Sequence, residues 1–69
     1  MCEEMQFFIY LTEHYAAYKN KSTGEIVKEW DYADITQKIY ENYWGYHTEA
    51  IENAFEDIDY MMKTGKHKF

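Results

Sequence analysis

Between Glu3 and Lys19 the chain carries neither Gly nor Pro, and Met5, Phe8, Leu11, Tyr15 and Tyr18 recur at steps of three and four residues, the helical period. Phe7, Ile9 and Tyr10 widen the apolar surface beyond one stripe. The helix this predicts, over residues 3–19, must lie at the centre of a small bundle or pack against a second chain. Glu3 and Glu4 in its first turn, with Lys19 and Lys21 near its end, suit the helix macrodipole. The polar run 20–24, which includes Gly24, stops it. Ser22 and Glu25 then stand at the spacing of a capping box, in which hydroxyl and carboxylate each satisfy an orphan backbone N–H. Ile26, Val27 and Trp30 supply the inward face of a short helix over residues 23–30; its β-branched pair would also suit a strand, but no second strand-like segment offers a partner.

The pattern breaks at Asp31 or Tyr32, and a third helix is expected over residues 33–44, with Ile35, Ile39 and Tyr43 on one side and Tyr40 and Trp44 beside them. Gly45 is its expected stop. Thr48 is placed to cap a fourth helix over residues 48–63, whose apolar stripe reads Ile51, Ala54, Phe55, Ile58 and Met62. Gly65 ends it, Lys63, Lys66 and Lys68 suit its negative end, and residues 66–69 are expected to fray. The expected fold is all-α: one domain, a compact bundle of four helices with the second short. Its core should bury Phe8, Leu11, Ile39, Phe55 and Ile58.

Size sharpens this picture. A chain of 69 residues has room for one domain and a small core, and eight Tyr, four Phe and two Trp answer that with large side chains. Cys2 is the only cysteine and has no intrachain partner, so nothing calls for an oxidising compartment and a cytoplasmic protein is expected. No apolar run approaches a membrane span, and no basic region followed by a hydrophobic stretch opens the chain. The net charge of −6 repels phosphate backbones, which excludes direct nucleic-acid binding, and is compatible with a basic protein partner or simply with solubility.

The run from Phe8 to Tyr15 with Tyr18, the run from Ser22 to Val27, Ile39-Tyr40 with Tyr43, His47-Thr48, and Glu56-Asp57-Ile58-Asp59 together resemble a family of short bacterial helical domains of unknown function. The resemblance spans about residues 5–60 and implies an association with ADP-ribosyltransferase-like toxins, hence an antitoxin or accessory-partner role. It implies no active site.

The residues themselves offer little chemistry. Cys2 and the histidines at 14, 47 and 67 lack the short spacings of structural zinc sites, so neither a metal nor a cofactor is expected. His14 has Tyr10 and Tyr18 one turn to either side and suits a helix surface; His47 precedes Thr48 and suits a helix entrance or a bond to a loop carbonyl. Cys2 has no fixed base, Glu56, Asp57 and Asp59 lie on a helix expected to expose them, and Gly24, Gly45 and Gly65 are too scattered for a phosphate loop. The chain is therefore expected not to be an enzyme.

Two surfaces remain. Glu49, Glu52, Glu56 and Asp59 recur at three, four and three residues, which aligns four carboxylates on one side of the fourth helix with no Lys or Arg between residues 49 and 62. Such a row is either a solvated face or a rail for a basic protein. Tyr10, Tyr40, Trp44 and Tyr46 lie off the inward stripes and are either contact aromatics or the completion of an aromatic core. The leading expectation is an acidic module that neutralises or regulates a cognate protein, as an antitoxin or phage-style inhibitor does. A homo-oligomeric adaptor, in the simplest case a homodimer formed through the apolar first helix, and a sponge or sensor for a small aromatic or nucleotide ligand are the alternatives.

Overall fold

Five helices form in chain order, described over residues 1–69 in a computed structural model: α1 (Glu3–Lys19), α2 (Thr23–Tyr32), α3 (Thr36–Glu41), α4 (Tyr43–His47) and α5 (Ile51–Thr64). Helix α1 ends where expected, but by a device that needs no glycine. Asn20 takes the left-handed conformation at φ 58°, and the N–H groups of Asn20 and Lys21 reach back to the carbonyls of Ala17 and Ala16 at 3.1 and 2.9 Å. The capping box at α2 forms in both directions, each bond 3.1 Å long. Helix α2 runs to Tyr32, two residues further than expected, because its stop is the same device again: Asp34 is left-handed at φ 61° and Ile35 N–H bonds the Trp30 carbonyl at 3.0 Å.

The expected third helix is two helices. It starts at Thr36 rather than residue 33, and Asn42, at φ −90° and ψ 28°, breaks it into α3 and α4. Gly45 lies inside α4 and stops nothing. A Cβ there would come within 2.5 Å of the Asn42 Oδ1, so glycine serves to admit the Asn42 carboxamide against the helix. Thr48 does not cap the next helix, because its hydroxyl donates to the Trp44 carbonyl at 3.0 Å and closes α4. Helix α5 therefore starts at Ile51, with Ala50 before it supplying no side-chain cap, and ends at left-handed Gly65. On its inner stripe Met61, 1% exposed, takes the place expected of Met62, which is 38% exposed.

Helix α1 is central and packs against α2, α3 and α4, while α5 closes over α4. The core gathers Leu11, Tyr15, Ile26, Trp30, Ile35, Ile39, Phe55, Ile58 and Met61. Of the residues expected there, Phe8 alone is only half-buried, at the rim, with its ring 5.9 Å from Trp30 and 5.7 Å from Tyr40. A radius of gyration of 10.9 Å equals the value of about 11 Å for a compact chain of this length, which makes it one domain. No helix is long and apolar enough to cross a membrane.

Candidate functional site

Folding breaks up the acidic row. Glu49 precedes α5 and accepts from Asn53 Nδ2 at 2.9 Å, and Glu56 pairs with Lys68. Asp59 accepts the Tyr15 hydroxyl at 2.5 Å and the Tyr18 hydroxyl at 3.4 Å, and pairs with Lys19 at 3.0 Å. Glu52 alone makes neither a hydrogen bond nor an ion pair within the chain. The neutralising lysines are distant in sequence, which is why the row reads as bare from the sequence alone. Beside it the Tyr18 and Phe55 rings stack at 4.8 Å and 17°, flanking a cavity of about 490 Å³ with Glu52, Glu56 and Asp59. Burial, then the hydrogen bond and charge of Asp59, push the Tyr15 phenol far above its ordinary value, so Tyr15 is a permanent donor.

The four expected contact aromatics divide. Trp44 is 72% exposed and Tyr10 47%, Tyr40 is half-buried against Phe8, and Tyr46 is buried. The surface role expected of Tyr46 does not survive: the break at Asn42 resets the helical phase, so α4 turns Tyr46 inward and Trp44 outward. Around Trp44 the rings are continuous. Tyr43 and His47 stack at 4.0 Å and 8°, Trp44 sets an edge against both at 5.5 and 4.9 Å, and Phe7 meets Tyr43 edge-on at 5.6 Å. From Phe7 the series continues along α1 to Tyr10 at 6.2 Å, and Tyr10 packs on His14 at 4.1 Å.

Helical spacing builds this face. Glu3, Phe7, Tyr10 and His14 follow at steps of four, three and four on α1. His14 and His47 each sit one turn after a tyrosine, lie against its ring, His47 stacked and His14 tilted, and donate Nδ1–H to that tyrosine's carbonyl, His14 to Tyr10 at 2.9 Å and His47 to Tyr43 at 2.7 Å. The Tyr43 hydroxyl in turn donates to Glu3 at 3.3 Å; burial first, then the Glu3 charge, raises its pKa. The Tyr43–His47 pair stands in the sequence but is hidden by the helix stop expected at Gly45 between them.

A third arrangement escaped sequence reading altogether. Asp57, expected on the exposed side of its helix, is 1% exposed. Its Oδ2 accepts the Tyr46 hydroxyl at 2.5 Å and His67 Nδ1–H at 2.6 Å, and its Oδ1 accepts the Lys68 N–H at 2.5 Å. Residues expected to fray are thus tied to the core. Burial by itself would raise the Asp57 pKa, but the hydrogen bonds from Tyr46, His67 and Lys68 outweigh it and hold the carboxyl below its ordinary value. Burial, then the bond to Asp57, pushes the Tyr46 phenol far above its own. The available signal was position: Asp57 follows Ala54 by three residues and precedes Met61 by four, on the buried stripe.

No group of three or more His, Cys, Asp or Glu side chains is placed to hold a metal. Cys2 is exposed, with its sulfur 3.8 Å from the Tyr40 hydroxyl. The profile of one family, described as a protein of unknown function (DUF3791), matches residues 6–65. No curated protein and no solved structure matches the chain.

Proposed function

The chain belongs to the DUF3791 family, and from that premise we propose that it is a non-enzymatic module that binds and restrains a cognate protein with a basic surface, through the aromatic face of α1 and α4. The observation that carries this reading is Trp44: a large ring 72% exposed to water, yet braced edge-on by the stacked pair Tyr43 and His47. A braced aromatic loses little conformational freedom when it is covered, and Trp and Tyr dominate the energetics of protein contacts. The net charge of −6 favours a partner that presents arginine, whose guanidinium stacks on such rings while nearby carboxylates balance its charge. The resemblance to toxin-associated domains supports one class for that partner, an ADP-ribosyltransferase-like toxin.

The test is inhibition of that toxin's transferase activity by the purified chain at equimolar ratio. Wild type should abolish transfer, and Trp44→Ala should weaken the complex about 30-fold, the loss of one hot-spot side chain. A Trp44→Ala chain that inhibits as well as wild type sinks this face as the contact. A second reading, a homodimer closed over the same face, is favoured by the run Phe7 to Leu11, where Ile9 is 42% exposed on the same helix as Tyr10. Sedimentation of wild type beside Trp44→Ala decides between them, since only the dimer predicts that the lone chain changes mass.

A further inference from the structure

His67 stands between two lysines in the C-terminal segment that follows α5. Lys66 and Lys68 flank it, and Lys38 donates from Nζ to the Gly65 carbonyl at 2.5 Å. The imidazole of His67 is fixed. Its Nδ1–H points at the Asp57 carboxylate, a charge almost entirely withdrawn from water, and the two are 2.6 Å apart. In the neutral ring that bond sets the tautomer and places the lone pair on Nε2. Nε2 makes no hydrogen bond and is not buried, since the one buried unpartnered side-chain nitrogen or oxygen is Trp30 Nε1; the lone pair therefore opens to solvent. The protein-binding reading uses none of these groups.

We propose that His67 is a phosphoryl-acceptor site, at which Nε2 takes a phosphoryl group from a donor of the phosphoramidate class. The Nε2 lone pair attacks phosphorus, the Nε2–P bond forms, and the P–N bond of the donor breaks with its electron pair leaving on ammonia, which already carries its protons. No oxidant, reductant or further reactant is needed. The attacking ring, with its proton on Nδ1, becomes an imidazolium that keeps its Nδ1–H, and the Asp57 carboxylate already in place balances the new positive charge. Lys66, next to His67 in sequence, is exposed and has no acidic partner, while Lys68 is engaged by Glu56. Asp57 acts here as a positioning residue.

The other two histidines are internal controls. His14 and His47 also donate Nδ1–H and leave Nε2 free, but to neutral carbonyls, so they match His67 in tautomer and differ in counter-ion. The full chain is incubated with phosphoramidate, and each histidine is followed by fragment mass spectrometry under alkaline conditions that preserve phosphohistidine. His67 should be labelled about tenfold or more faster than His14 and His47, the size of effect that an outer-shell carboxylate exerts on a histidine ligand. Nitrogen-coupled phosphorus NMR should place the group on Nε2. Urea should bring the three rates together in the wild-type chain. Asp57→Asn should lower the His67 rate and leave those of His14 and His47 unchanged, a ratio that general destabilisation would not produce. Equal rates at the three histidines of the folded chain, or no label at His67, overturn the proposal. Should Asp57→Asn fail to fold, the comparison of folded with urea-treated wild type still decides it.

Discussion

Asp57 sets the acid limit of the fold. Its carboxyl is held below the ordinary value in the folded chain, so the unfolded chain binds the proton more readily. The stabilisation is complete above the unfolded value, about pH 4, and is lost as pH falls through the folded one. Thermal melting followed downward from neutral pH should therefore steepen only below about pH 4. Asp57→Ala should cost about 1 to 3 kcal/mol at neutral pH, because it leaves the buried Tyr46 hydroxyl without an acceptor. The alkaline limit has the opposite sign and other owners. Tyr15 and Tyr46 have raised pKa values, so their contribution is complete below the ordinary phenol value near pH 10 and declines as pH rises beyond it. Absorbance titration should show these two of the eight tyrosines ionising only as the chain unfolds.

At the scale of helices, two substitutions separate local from tertiary stabilisation. Ser22→Ala removes one side of the capping box and should cost about 1 kcal/mol, while Phe55→Ala opens a cavity among Tyr15, Tyr18 and the core and should cost about 3 to 5 kcal/mol. Denaturant titration distinguishes them, and a Phe55→Ala chain of undiminished stability would mean that the inner face of α5 is elsewhere. The same contrast explains what the sequence makes legible. The period of α1, the box at α2 and the stripe of α5 are local signals, and all three elements are found. The region 33–50 misleads because its decisive events involve small polar side chains in competition with the backbone: Asp34 turning left-handed, Asn42 folding over Gly45, Thr48 bonding back to Trp44. With them went the phase of α4, and so the sides on which Trp44 and Tyr46 emerge. Asp57 was missed for the complementary reason, since its partners Tyr46, His67 and Lys68 meet it only in the folded chain.

For the molecule as a whole, the acidic side of α5 and the aromatic face of α1 and α4 make separable claims on a partner. Glu52→Lys with Glu56→Lys frees Lys68 but removes only an exposed ion pair, worth about 0 to 1 kcal/mol, so the fold should survive. If a basic partner contacts this side, affinity at low salt should fall and its dependence on salt should flatten, as rim charges steer association. Titrations at two ionic strengths check this, and a folded double variant with wild-type affinity at low salt would reduce the row to a solvated surface. The two tryptophans supply a way to watch either event without a label. Trp30 is sealed, 0% exposed between Phe8 and Tyr15, whereas Trp44 stands in water. One indole should therefore emit at short wavelength and resist a diffusing quencher such as acrylamide, and the other should emit at long wavelength and be quenched freely. Covering the aromatic face should blue-shift and protect only the second component, so the intrinsic fluorescence of this chain reports occupancy of the face while its sealed component certifies, in the same cuvette, that the core has not opened.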